Sequence, residues 1–177
     1  NKPLAPKTIV NAYFFIAPIL QKYNPELDTE VTLPEIKDKI PVIIPAEVLM
    51  PVIIGSSIEL PCLLAAWLSL SMSEIRGLTK SKSVVYGQLH IVETVVDVDG
   101  KPVRKEGGKE EKRTRAFDIP PYIQYLIDRV EGDILVPLSG QAIYKRFSRI
   151  LAKNNLPHMS FHKLRNLNAS VMAMLNV

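Results

Sequence analysis

The chain has 177 residues, 47% of them hydrophobic, enough for one domain with a genuine core and some additional chain. A single cysteine and three scattered histidines exclude a disulfide framework and offer no metal-ligand spacing, and the longest apolar run, Leu60 to Met72, is too short to span a bilayer. The net charge of +4 is focused: Lys101 to Arg115 holds seven basic and three acidic residues, a surplus equal to that of the whole chain, which suits either a polyanion partner or a solvated hairpin tip.

From the start of the chain, Pro6-Lys7-Thr8 followed by Ile9, Val10, Tyr13, Phe14, Ala17 and Leu20 predicts an amphipathic helix ending by Asn24-Pro25. Residues 25–45 carry four prolines (Pro25, Pro34, Pro41 and Pro45), which suits an extended linker and a domain boundary. Ala46 to Ile54 and Glu59 to Leu70 read as helices separated by Gly55-Ser56-Ser57. The second is apolar nearly all round and is expected to be central, with Trp67 in the core and Cys62 as buried packing rather than a nucleophile. Ser71-Met72-Ser73-Glu74 has the S-x-x-E form of a capping box and should start a short helix through Leu78.

The character then changes. Leu89 to Val96 is rich in β-branched residues, Asp99-Gly100 is a hairpin signal and Gly107-Gly108 marks a second turn. Three antiparallel strands are expected, at 88–98, 101–106 and 113–119. Helix returns from Pro121 to Val130, with Ile123, Leu126, Ile127 and Val130 on one face. Ser139 is placed to cap a helix from Gln141 to Lys153, and Ser160 to cap a final one. The order predicts an α+β fold, mostly α, with a small three-stranded antiparallel sheet between helices. Asn1 is not an initiator methionine, and Met174-Leu175-Asn176-Val177 stops inside a helical pattern, so a piece of a longer protein is expected. No signal peptide is visible and the default compartment is intracellular.

The final helix carries the sharpest chemistry. In Ser160-Phe161-His162-Lys163-Leu164-Arg165, an imidazole and a guanidinium three residues apart share one helix face and can hold one anion together. The guanidinium is a permanent, bidentate phosphate ligand, and the imidazole exchanges protons near neutral pH.

Three blocks in this order resemble the catalytic domain of the tyrosine recombinase (phage integrase) family. Leu70-Ser71-Met72-Ser73-Glu74-Ile75-Arg76-Gly77-Leu78 is similar to G-L-R-x-S-E-I-x-G-L. Lys109-Glu110-Glu111-Lys112-Arg113-Thr114-Arg115, followed by Ile119-Pro120, is similar to K-T-x-x-S-x-R leading into a strand. Phe161-His162-Lys163-Leu164-Arg165 with Ala169-Ser170 is similar to H-x-L-R-H-x-x-A-S. The resemblance covers about residues 40–177 and makes residues 1–24 the last helix of a core-binding domain, 25–45 a linker and 46–177 an integrase-like catalytic domain, C-terminally incomplete.

The resemblance implies site-specific DNA recombination, integration or excision by a phage or mobile element, through phosphodiester cleavage and rejoining that needs no metal and no cofactor. Cations stabilise the charge on the non-bridging oxygens and an acid protonates the leaving oxygen. Arg165 would be a phosphate clamp, His162 a proton handler, Lys109 the general acid and Glu74 a buttressing carboxylate, with a tyrosine forming a 3′-phosphotyrosyl intermediate. The partner would be double-stranded DNA, contacted further by Lys101, Arg104, Lys105, Lys112, Arg113, Arg115, Lys145 and Arg149. The full-length protein would act as a homotetramer on DNA in the cytoplasm, bacterial or phage-encoded, away from membranes.

Two departures stand out. Ser71 occupies the position of the family's first arginine and cannot supply a cationic grip, while Arg76, five residues on, lies on another face of the helix. Asn166 stands where the family often has histidine. None of the six tyrosines (Tyr13, Tyr23, Tyr86, Tyr122, Tyr125, Tyr144) follows Arg165, so the nucleophile is absent from this chain, which is expected to be inactive by itself. A degenerate, non-catalytic DNA-binding remnant is the alternative, and a protein-interaction domain with a solvated basic hairpin is a third.

Overall fold

The computed structural model describes residues 3–36, 42–106 and 115–168. The chain divides into two compact units between Pro41 and Val42. In the first, α1 (Pro6–Tyr23) opens with proline in its first turn, where a missing N–H costs nothing. The Tyr13 hydroxyl donates to the Thr29 carbonyl at 3.0 Å and Gln21 Nε2 to Thr29 Oγ1 at 2.7 Å, folding the following strip of chain back along the helix.

The second unit is built round α3 (Glu59–Trp67), which follows α2 (Ala46–Ile53). Residues Glu59 through Ala66 of α3 are all buried, as its uniform apolarity requires. Trp67 departs from expectation: it ends the helix 40% exposed, lying 6.4 Å from the Tyr122 ring instead of in the core. Burial pushes the Cys62 thiol pKa up, consistent with inert packing. Helix α4 (Met72–Gly77) begins with the expected capping box, both halves of which are made: Glu74 N–H donates to Ser71 Oγ and Ser71 N–H donates to Glu74 Oε2. A single turn, α5 (Lys80–Ser83), then leads into the strands.

The single three-stranded sheet expected across 88–119 is two sheets. Strands β1 (Val84–Val85), β2 (Gln88–His90) and β5 (Ala116–Asp118) form one, in the order β1-β2-β5; β3 (Glu93–Val98) and β4 (Lys101–Glu106) form the other, all antiparallel. The stretch read as one strand keeps its alternation, with Leu89, Ile91, Glu93 and Val95 all buried, but changes partner at residues 91–92. Side-chain alternation governs which face is buried and does not choose the neighbouring strand. The Asp99-Gly100 turn is as expected, both residues having positive φ, the I′ geometry that matches strand twist. Tyr86-Gly87 makes the same turn between β1 and β2, a hairpin the sequence reading missed. The Gly107-Gly108 turn lies outside the described residues.

Helices α6 (Pro121–Asp128) and α7 (Gly140–Lys153) follow, the latter capped by the Ser139 hydroxyl accepting from Ala142 N–H at 3.1 Å. A 3₁₀ turn (Phe161–Lys163) runs into helical residues 164–168. Ser160 stands at its N-cap, but its side chain makes no capping bond.

Beneath the β3–β4 hairpin, the buried Glu93 carboxylate binds Lys82, and Arg104 Nη1 at 3.0 Å. The Lys82 hydrogen bond and the Arg104 guanidinium hold Glu93 below the usual carboxylate range. A carboxyl whose folded pKa is depressed stabilises the fold above its unfolded value and loses that contribution as pH falls through the folded one. Glu93→Gln is therefore expected to lower the urea midpoint at pH 7, with the difference from wild type closing as pH falls below 4.5, the ordinary glutamate value. A pH-independent difference between the two urea midpoints would show that the charge of Glu93 contributes nothing.

Candidate phosphate-binding site

His162 and Arg165, the two residues singled out by the final motif, line one concavity of about 270 Å³ together with Leu70, Met72, Gly140, Tyr144, Ser160 and Phe161. Position follows from packing. Phe161 is buried edge-on against Phe147 of α7, ring centroids 5.7 Å apart at 82°, which fixes the residue next to His162. Leu164 and Leu167 are buried on the other side of the same turn, so Arg165 is left half-buried at the rim and His162 exposed. Asn168 Nδ2 ties the end of this segment to the Trp67 carbonyl at 2.6 Å.

The first motif arrives at the same place, because Leu70 and Met72 flank Ser71. Ser71 Oγ donates to Glu74 Oε2 at 2.6 Å, and the other carboxylate oxygen, Oε1, accepts from Arg115 Nη2. Burial pushes the Glu74 carboxyl up, but the Ser71 hydroxyl and amide and the Arg115 guanidinium outweigh it and hold it below its usual range. Both Glu74 carboxylate oxygens are thus occupied, Oε2 by the Ser71 hydroxyl and amide and Oε1 by Arg115.

Arg76 lies elsewhere, as its spacing requires. It is 8% exposed and grips Asp97 of β3 through both guanidinium nitrogens at 2.9 Å, holding the Asp97 carboxyl below its ordinary range. Arg76, Asp97 and Arg104 line a separate cavity of about 560 Å³ with Ser139 and Gln141.

The remaining basic residues sort by strand register. On β4, Arg104 faces inward to Glu93 and the Gly77 carbonyl, whereas Lys101 and Lys105 alternate to the other face and make no ion pair among the described residues. Lys145 and Arg149 are exposed on α7. Lys109, Lys112 and Arg113 lie outside the described residues. Two site features escaped the sequence reading. Arg115 meets Glu74 across 41 residues of chain, and Tyr144, noted in the sequence only as a tyrosine that precedes Arg165, lines the concavity with its hydroxyl 3.4 Å from His158 Nε2. Only the helical spacing of Tyr144 from Gly140 hinted at a shared face. Among the described residues no group of three His, Cys, Asp or Glu side chains is placed to hold a metal, and no helix is long and apolar enough to cross a membrane.

No protein-family model matches the chain, and no curated protein is similar to it. Solved structures are. Residues 82–397 of the Tn1549 transposon integrase, in complex with circular intermediate DNA, superpose with a TM-score of 0.72 at 19% identity, over 98% of this chain and 69% of that one. A tyrosine-to-phenylalanine variant of the same integrase, with transposon right-end DNA, gives 0.74 at 17% identity over 99% and 69%. The fold is therefore integrase-like. The fold that the resemblance implied is borne out by this superposition, and the solved structures that share it are those of a transposon integrase.

Proposed function

We propose that the chain handles DNA as the catalytic-domain portion of a tyrosine recombinase acting in site-specific integration or excision. The observation that supports this best is convergence. Arg165 and His162 of the last motif share a concavity with the residues flanking Ser71 of the first, within a fold shared with an integrase solved on DNA. In this reading Arg165 clamps the non-bridging oxygens of a phosphodiester, His162 hydrogen-bonds the same phosphate and handles its proton, and Glu74 holds the site in register. Lys109 would protonate the leaving 5′ oxygen. Lys101, Lys105, Lys145 and Arg149 would contact the DNA backbone, positioning the protein without reading sequence. A tetramer on two DNA sites in the cytoplasm completes the proposal for the whole recombinase.

The test is equilibrium binding of this chain to duplex DNA across a salt series. Log affinity should fall steeply and linearly with log salt, because each phosphate neutralised releases counterions. Binding that is undetectable or flat with salt would sink the reading and leave a protein-interaction domain. The same mixtures, denatured in SDS, should hold no covalent adduct, since none of the six tyrosines follows Arg165. An adduct would redirect attention to Tyr144, the tyrosine in the concavity. The second reading, a DNA-binding remnant without chemistry, is favoured by one observation, the serine at position 71. A recombinase containing these residues decides between them: Arg165→Ala should abolish its strand exchange while leaving most duplex affinity, and no strand exchange to abolish would favour the remnant.

A further inference from the structure

The serine at position 71 removes a cation from the site, yet the carboxylate beside it holds another. Ser71 Oγ and Arg115 Nη2 bond the two oxygens of the same Glu74 carboxylate. Hydroxyl and guanidinium are therefore separated by no more than the width of that group and two hydrogen bonds. Arg115 reaches this place from a different part of the chain, immediately before β5. Its carbonyl accepts from Ile91 N–H at 3.0 Å, and its guanidinium lies 5.7 Å from the Phe117 ring centroid. Backbone, ring and carboxylate thus fix the side chain along its length, while the side chain itself stays 39% exposed. A guanidinium has five N–H donors, and Glu74 is the acceptor it meets among the described residues, so donors remain for a second anion.

A surface ion pair is the plainer account, but exposed pairs contribute little and do not need a carboxylate already held by a capping box. Glu74 receives the Ser71 hydroxyl and amide on one oxygen and offers the other to Arg115, the arrangement that orients a guanidinium rather than neutralises a stray charge. We propose that Arg115 is the phosphate-binding cation that replaces the missing first arginine, with Glu74 as its positioning residue and Ser71 as the cap that fixes Glu74. This rests on the DNA reading above and deepens it: the site would keep two arginines, Arg165 and Arg115, drawn from two elements.

The experiment is the salt series repeated with R115A and with S71R/R115A on the same duplex. Loss of one phosphate contact should make the R115A slope shallower by about 0.9, and the arginine introduced at position 71 should restore it. An R115A slope equal to wild type would leave Arg115 a structural ion pair and overturn the proposal. A shallower slope that S71R does not restore would place the contact elsewhere and overturn it too. Should R115A fail to fold, the Arg115 Nε–H resonance of the wild-type chain carries the test: it should shift on adding duplex DNA, and an unmoved resonance in DNA-bound protein refutes the idea. Salt-independent or absent binding by wild type fails the DNA reading itself, visibly and before any variant is made.

Discussion

Gly77→Ala is expected to destabilise the chain by about 3 kcal/mol or more, although alanine is the better helix former by about 1 kcal/mol. Gly77 ends α4 with the backbone of β3 lying directly on it. A Cβ there would come within 2.6 Å of the Glu93 carbonyl carbon and 2.9 Å of Thr94 Cα, and would overlap the Glu93 carbonyl oxygen. These are backbone atoms of a paired strand, so no rotamer change relieves the clash, and either α4 or β3 must move. Its φ is not positive, so close approach, not backbone freedom, is what demands glycine. The same helix holds Glu74 and is capped by Ser71, and the same strand holds Glu93 and Asp97. The substitution should therefore also loosen the Arg115 and Arg76 contacts. Urea unfolding decides it: an alanine variant with the wild-type midpoint would mean that the helix and strand do not approach this closely.

Phe147→Ala is expected to cost about 3–5 kcal/mol, a large share of the roughly 5–15 kcal/mol that holds a domain together. Phe147 is fully buried in α7 and meets Phe161 edge-on, an arrangement that contributes about 0.5–1.5 kcal/mol beyond the area it buries. Removing the ring leaves a cavity directly beneath the turn that carries His162. Stability and DNA affinity should fall together in this variant, and Phe147→Leu, which refills most of the volume, should recover much of both. A Phe147→Ala chain as stable as wild type, read by thermal unfolding, would show that the two rings do not share the core.

Much of this was legible one element at a time. The capping box at Ser71 and Glu74, the Asp99-Gly100 turn and the Ser139 cap need only residues within a turn of each other, and all three formed as read. The His162 and Arg165 pairing is local in the same sense. The all-round apolarity of Glu59 to Leu70 and the Ser139 cap placed α3 and α7 within a few residues of their observed bounds, because both signals lie within the element itself. The serine at position 71 is a departure only against the family pattern that the block around it resembles.

What the sequence by itself determined, then, was which residues carry charge, which faces are apolar, and where helices and turns begin. Only the tertiary structure decided which of those faces and charges meet. Residues 88–96 alternate without a break, yet the backbone hydrogen bonds go first to β5 and then to β4, a choice made by competing partners distant in the chain. Trp67 is as apolar as its neighbours and still lies at the surface, because α3 ends where its coverage ends. Arg76 is read from its spacing as facing away from position 71 and Arg115 as a further DNA contact, and neither reading names a carboxylate partner. One is spent on Asp97 and the other is delivered to the carboxylate beside Ser71. Ion pairs between residues 21 and 41 positions apart leave no periodic trace, because their geometry exists only after the helices and strands have packed and closed the intervening loops.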